Sequence, residues 1–288
     1  MTTHPAYRID LPERRLTSVV FATPHSGADY SSEFLSRAEL VATEIRSSED
    51  AFVDKLFASA PLCGAAILMA RVPRAYVDLN RAPEELDPAL IEGVGKGSNN
   101  PRVASGLGVI PRVVANGRAI YRGKMSIDEA HGRIEGYWRP YHDALQTLLD
   151  ENHRSFGEAI LVDCHSMPRE ALTQLGARPA GRPEIVIGDR FGSTAARHLV
   201  DEIESIFSEA GLRVARNIPF AGAHILQAYG RPSRGQHAIQ IEIDRSLYMD
   251  EEAIAPSADF DAFQALMDGV VERIAQMGAP EAGWLAAE

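Results

Sequence analysis

Cysteine is nearly absent from this chain. Cys63 and Cys164 are the only two in 288 residues, and neither belongs to a Cys-x-x-Cys pair. That excludes a disulfide framework and fits a reducing compartment. Basic charge is also scarce: 29 Lys and Arg stand against 40 Asp and Glu, for a formal net charge of −11. Such a balance argues against nucleic acid or an anionic membrane as a partner, because both need a basic face. An anionic substrate would have to be captured by local arginines against the global field. No run approaches the ~20 apolar residues of a membrane helix. Met1-Thr2-Thr3-His4-Pro5 opens without the basic segment and apolar core of a secretory leader, so the expected compartment is cytoplasmic. A phosphate loop is missing too. Gly93-Val94-Gly95-Lys96-Gly97-Ser98 has glycine after its lysine, and no apolar strand precedes it. Neither internal repeats nor low-complexity tracts are visible.

What is present is an alternation of strand and helix signals. Apolar runs predict strands at 17–23, 65–70, 74–79, 109–114, 158–164, 184–188, 212–216 and 237–243, several of them continuous, as in sheets covered on both faces. Helices are predicted at 31–42, 49–60, 126–154, 192–210 and 258–277. In the last, Phe260, Phe263, Met267, Val270, Val271 and Ile274 form one apolar stripe, the mark of a core-facing helix. The pattern implies an α/β fold: a three-layer α/β/α sandwich around a mixed, mainly parallel sheet. Two long stretches, 82–108 and 167–183, are rich in loop-forming residues and read as lids or disorder.

Two of the strands end alike. Ser18-Val19-Val20-Phe21-Ala22-Thr23 runs into Pro24-His25-Ser26-Gly27, and Ala159-Ile160-Leu161-Val162 runs into Asp163-Cys164-His165-Ser166. Binding crevices of open α/β sheets lie at the carboxyl ends of strands, so two imidazoles delivered there suggest a metal site. A catalytic zinc wants three protein ligands and a water. The third ligand is sought in Ser47-Ser48-Glu49-Asp50, where Glu49 and Asp50 both remain candidates beside the simpler role of helix capping. In Ala238-Ile239-Gln240-Ile241-Glu242-Ile243, Glu242 is a carboxylate in an otherwise buried strand, and its desolvation cost implies a partner or a job. Arg74 and Arg81 bracket the segment ending in Asp78-Leu79-Asn80-Arg81. Guanidinium groups placed there suit an oxyanion and a substrate carboxylate. Gly222 to Pro232, with His224 and Arg231, reads as a substrate loop. His131, His142, His153 and His198 read as surface residues of helices, and His237 as a second-layer candidate.

Taken together these segments, with Trp138-Arg139-Pro140-Tyr141-His142 and Tyr229-Gly230-Arg231-Pro232, resemble the N-formylglutamate amidohydrolase family. They extend in family order from residue 24 to 251. That family looks like a relative of the zinc carboxypeptidases and aspartoacylases. The resemblance implies a zinc-exopeptidase-like fold, one amidohydrolase domain over residues 1–288, and one Zn2+ per chain on His25, Asp50 and His165. It implies Glu242 as general base and acid and Arg74 as the group that polarises the scissile carbonyl. Asn80 and Arg81 would hold a carboxylate, with His224 and Arg231 in further substrate contacts. This chain has Glu49-Asp50-Ala51 where the family often has Thr-Asp-Trp, so either acid stays open as the ligand. The implied substrate is a small anionic amino-acid derivative, N-formyl-L-glutamate of histidine degradation first, cleaved to formate and L-glutamate. A carboxypeptidase- or aspartoacylase-like hydrolase and a metal-free binding protein for an acidic ligand are the alternatives, and a homo-oligomer stays open.

Overall fold

The structure is a computed structural model and describes residues 5–95, 100–173 and 181–280. Seven strands form its main sheet: β1 (Tyr7–Asp10), β2 (Val19–Thr23), β3 (Ala66–Ala70), β4 (Ala159–Met167), β5 (Ile185–Gly188), β6 (Val214–Arg216) and β7 (Gln236–Asp244). Their order is β1-β3-β2-β4-β7-β5-β6. β3, β2, β4 and β7 run parallel in succession, whereas β1 pairs antiparallel with β3 and β5 antiparallel with β7. The sheet is therefore mixed and mainly parallel.

Alternation along the central strands divides the core in two. Val19 and Phe21 of β2, with Ile160, Val162 and Ile239, pack against helices 197–209 and 260–277. Val20 and Ala22, with Leu161 and Ala238, face helix 139–156 through Tyr141, Leu145 and Leu149. A strand buried on both faces has no polar side to show. This is why these segments read as unbroken apolar runs. The stripe of helix 260–277 faces the first layer, as its spacing predicts.

Several predicted elements take another form. Residues 74–79 and 109–114 are not strands. Pro73 starts a turn whose carbonyl accepts from Tyr76 and Val77 N–H, and only Asp78 N–H reaches Val109 O. Their apolar residues Val77, Leu79, Val109 and Ile110 are buried all the same, in an irregular covering of the second layer. The helix predicted over 49–60 shrinks to Val53–Leu56, because Phe52 adopts a left-handed φ of 66°. Helix 31–42 stops at Arg37, and 192–210 begins at Arg197. The long helix over 126–154 forms as Ile127–Phe156, interrupted at Ile134–Trp138 by one π-helical turn. Pro140 has no N–H to offer the carbonyl four residues back, which is a sufficient reason for the wider turn. Edge strand β1 and helix His224–Tyr229 carried no clear periodicity and were not predicted. Within the two long predicted loops, residues 96–99 and 174–180 lie outside the described residues; the first stretch includes the second half of the phosphate-loop look-alike.

Candidate metal centre and substrate cavity

Register across the central strands sets the site. Asp163 and His165 of β4 stand two apart and share a face. Across the β4–β7 pair, Asp163 aligns with Gln240 and His165 with Glu242. β2 runs parallel beside β4 and ends at Thr23, so the chain leaves the sheet with His25 next to this row. The two imidazole rings lie edge to face with centroids 4.7 Å apart.

Asp50 completes the group. One ligand atom from each of His25, Asp50 and His165 lies within 4.8 Å of the others, and all three residues are buried. Glu49 has an extended backbone, so its side chain and that of Asp50 leave on opposite sides. Glu49 turns to Arg46 and the Tyr30 hydroxyl, while Asp50 N–H bonds the His25 carbonyl at 3.0 Å and its carboxylate meets the imidazoles. Asp50 Oδ2 stands 3.5 Å from His25 Nδ1 and 3.1 Å from His165 Nδ1.

Carboxylates behind the imidazoles orient them. His25 Nε2 donates to Asp78 Oδ1 at 2.7 Å, which leaves Nδ1 for the centre. That Nδ1 is buried and has no hydrogen-bond partner among the described residues. His165 Nε2 lies 3.0 Å from Asp163 Oδ2, and Asn80 Nδ2 donates to the same oxygen at 3.4 Å. A histidine fixed through its outer nitrogen to a carboxylate is the arrangement that readies its inner nitrogen for a metal.

The charges agree with a cation-holding centre. Burial opposes ionisation of Asp50, yet the hydrogen bond from His165, the neighbouring His25 imidazole and the charge of Arg74 hold it well below the usual carboxylate range. Asp78 is likewise depressed against burial, by His25 and Arg74. Burial opposes the His165 imidazolium, but Asp163 and Asp50 raise its pKa well above the usual value. An orphaned imidazole nitrogen, a depressed carboxylate and a second imidazole gathered within 4.8 Å fit a divalent cation in place of those protons.

Glu242 stands apart from this trio. Burial pushes its carboxyl up to about 7, with Asp50 adding to the rise and His165, Arg74 and Arg245 opposing it. Gln240 Nε2 donates to its Oε1 at 2.9 Å. A carboxyl poised near neutrality suits proton transfer.

These groups open into a cavity of about 920 Å³ that also exposes Arg74, Asn80, Arg81 and Arg190. Arg74 donates to Asp78 Oδ2 at 3.0 Å and stands 3.7 Å from Asp50. Among the described residues Arg81 binds only carbonyls, those of Leu107 at 3.0 Å and Asn80 at 2.9 Å. Asn80 is locked between Asp163 and the Ile225 N–H, which its Oδ1 accepts at 2.8 Å.

His224 and Arg231 are not on the cavity wall, although Gly222 and Ala223 are. The His224 ring lies 5.7 Å from Trp138 and 5.6 Å from His142. Arg231 turns back to the carbonyls of Gln227 at 2.8 Å and Gly230 at 2.7 Å. His142 is buried rather than on the surface. Its Nε2 donates to Leu79 O and its Nδ1 accepts from the Tyr229 hydroxyl, both at 2.8 Å. Burial lowers its pKa to about 3, so it is a neutral brace. Trp138 stacks on it at 3.8 Å and donates to Arg81 O at 2.9 Å, so helix and π-turn together hold the Leu79–Arg81 backbone. His237 Nδ1 accepts from Ala196 N–H, away from the centre. The sequence reading assigned no role to Asp78, Asp163, Gln240, Arg190 or Arg245. The first three had a usable signal, since each stands two residues before an assigned one.

An open α/β sheet with this donor set and a near-neutral carboxyl at its strand ends is built as an amidohydrolase. More particularly, the chain belongs to the N-formylglutamate amidohydrolase family, whose model matches residues 17–249. It is 30% identical to the N-formylglutamate deformylase of Pseudomonas putida over 81% of this chain and 82% of that one. The enzyme of the same name from Pseudomonas aeruginosa is 29% identical over 80% and 82%. A crystal structure of N-formylglutamate amidohydrolase from Ralstonia eutropha JMP134 superposes with a TM-score of 0.89 and 33% identity, covering 96% of this chain and 99% of that one. Among the described residues no helix is long and apolar enough to cross a membrane.

Proposed function

We propose that this chain is a zinc-dependent cytoplasmic hydrolase of N-formyl or small N-acyl acidic amino acids, with N-formyl-L-glutamate as its principal substrate. The observation that carries this reading is His25 Nδ1, without a hydrogen bond among the described residues, converging with Asp50 and His165 beside a carboxyl at about 7. The names and identities of the relatives supply the substrate. His25, Asp50 and His165 would hold one zinc ion. When bound, zinc supplies Lewis acidity, which makes water acidic near neutral pH and polarises a carbonyl.

The chain's own groups do the rest. Arg81, on the backbone braced by Trp138 and His142, takes a substrate carboxylate with Asn80 beside it. That grip places the formyl group against Arg74, whose guanidinium stabilises charge developing on the carbonyl oxygen. Glu242 takes the proton from water and returns it to the departing nitrogen, a task matched to its raised pKa. The products are formate and glutamate.

Metal analysis of the purified protein, with turnover measured on formylglutamate, formylaspartate and acetylated amino acids, tests the reading. Stoichiometric zinc and fastest release of formate from formylglutamate are expected. Tight binding of formylglutamate without formate release by the zinc-loaded protein would instead make it a binding protein.

A further inference from the structure

N-formylglutamate carries two carboxylates, and Arg81 with Asn80 accounts for one. We propose that Arg190 is the receptor for the other, the side-chain carboxylate, so that the cavity selects dicarboxylates. This assignment rests on the formylglutamate reading above. Five guanidinium groups border the cavity, those of Arg74, Arg81, Arg102, Arg190 and Arg245, and Arg102 is exposed where Arg190 is half-buried. Arg74 and Arg245 both border the cavity and both face Asp50, Arg245 through a 2.9 Å hydrogen bond and Arg74 at 3.7 Å. Arg190 borders the same cavity and makes no ion pair among the described residues. Its one side-chain hydrogen bond among the described residues is a long one, from Nη1 to Gly222 O at 3.4 Å. A half-buried guanidinium in that position keeps most of its five donors for a ligand, in a chain whose overall charge repels one.

The backbone under Arg190 is held in a conformation that this residue would not choose. Arg190 and Phe191 are consecutive left-handed residues, with φ of 49° and 58°. Each is disfavoured without a glycine, so the surroundings must impose the geometry. They do so through Asn217. Its Oδ1 accepts from Asp189 N–H at 3.1 Å and Phe191 N–H at 3.2 Å, and its Nδ2 donates to Asp189 Oδ1 at 2.8 Å. Arg190 N–H bonds Ala221 O at 2.9 Å. Gly188 permits this approach, since a Cβ there would stand 2.8 Å from the Ala221 carbonyl carbon.

Placement decides which carboxylate each arginine takes. The segment Ala221–Ile225 joins the two: Arg190 is bonded to its start, and Asn80 Oδ1 accepts the Ile225 N–H at its end. Asn80 lies next to His165, with Nδ2 3.2 Å from Nε2. The Asn80–Arg81 side is therefore the one against the reacting centre. The α-carboxylate, on the carbon that bears the scissile nitrogen, belongs there. The side-chain carboxylate lies two methylenes further out and falls to Arg190, with Phe191 and Phe220 of the cavity wall beside the methylenes.

The test compares kcat/KM for N-formylglutamate and N-formylglutamine, whose side chain is neutral, in the zinc-loaded wild type, Arg190→Ala, Arg190→Lys and Arg81→Ala. Arg190→Ala is expected to lower the value for formylglutamate by roughly 10–100-fold, mainly through KM, and to leave formylglutamine nearly unchanged. Arg190→Lys recovers part of the loss, because an ammonium keeps the charge without the fork. Arg81→Ala lowers both substrates alike, since both carry the α-carboxylate. The ratio is read within one protein, so a poorly folded variant does not mimic the result. Equal losses on both substrates in Arg190→Ala, or none on either, overturn the proposal. Calorimetric binding of glutarate against butyrate separates the two readings. A glutarate preference that vanishes in Arg190→Ala supports the receptor even if the wild type releases no formate, whereas one that survives in Arg190→Ala overturns it.

Discussion

Arg74 and Arg245 differ from Arg81 and Arg190 in what they touch, although all four border one cavity. The first two face carboxylates: Arg245 Nη2 reaches Asp50 and its Nε reaches the Ser166 hydroxyl, while Arg74 reaches Asp78 and nears Asp50. The second two hold backbone carbonyls and no acid among the described residues. Contact partners therefore divide a cluster of like residues by role. A guanidinium paired with a buried carboxylate is fixed in place by it, whereas one left with unneutralised charge is available to an anionic ligand.

The largest expected effect lies on the reacting side. Glu242→Gln should keep the metal, because Glu242 is not one of the three convergent groups, and lower kcat by about 10²–10⁴-fold. Metal content and kcat measured together check this, and full activity in the variant would reduce Glu242 to a structural acid. Arg245→Ala removes a charge partner from a nearly inaccessible carboxylate and should destabilise the protein by about 3–5 kcal/mol, read from urea unfolding. Arg81→Ala, in contrast, should leave the unfolding midpoint close to that of the wild type. If the two variants unfold alike, the division into neutralised and available arginines is wrong.

Next comes a pH effect in the metal-free protein. Glu242 has a raised folded-state pKa, so the folded chain binds its proton more tightly than the unfolded chain does. Stability is highest below the ordinary glutamate range, falls as pH rises from there to about 7, and levels off above. The amplitude is on the order of 3 kcal/mol, and Glu242→Gln should remove it. Urea unfolding of both proteins across that window measures the slope directly; the same slope in the variant would place the proton on another group.

Smaller effects sharpen the other side of the comparison. Arg81→Ala should raise KM for formylglutamate by roughly 10–100-fold, the worth of a charge-assisted hydrogen bond, with kcat much less affected. Trp138→Phe removes the donor to Arg81 O but keeps an aromatic ring over His142. Its cost should be only about 1 kcal/mol in stability, with a modest rise in KM and the metal retained. Loss of metal from this variant would mean that the brace supports the centre rather than the anchor.

Much of the fold was legible because the central strands are buried on both faces, and an apolar run has the same appearance whatever its neighbours. The histidines at the ends of two such runs could be paired for the same reason. Segments 74–79 and 109–114 misled because their apolar residues are buried without joining the sheet. Burial alone sets hydrophobicity, whereas strand formation needs a partner edge. The helix at His224–Tyr229 was hidden by flanking glycines that favour a loop reading. His142 looked like a surface residue because a helical face gives no warning of polar contacts with a distant carbonyl and hydroxyl.

The α/β class, the central strands, His25 and His165 at their ends and Glu242 as an acid in an apolar strand could all be read from the chain alone. These follow from local pattern, which survives without knowledge of what packs where. Packing between remote segments turned Asp50 rather than Glu49 toward the imidazoles, set Asp78 and Asp163 behind them, left Arg231 off the cavity and brought Arg190 onto it. Each of those outcomes depends on the direction of one side chain across a contact between segments remote in sequence. Such a direction is fixed by strand register, a left-handed residue or a bracing amide, none of which residue type alone reveals.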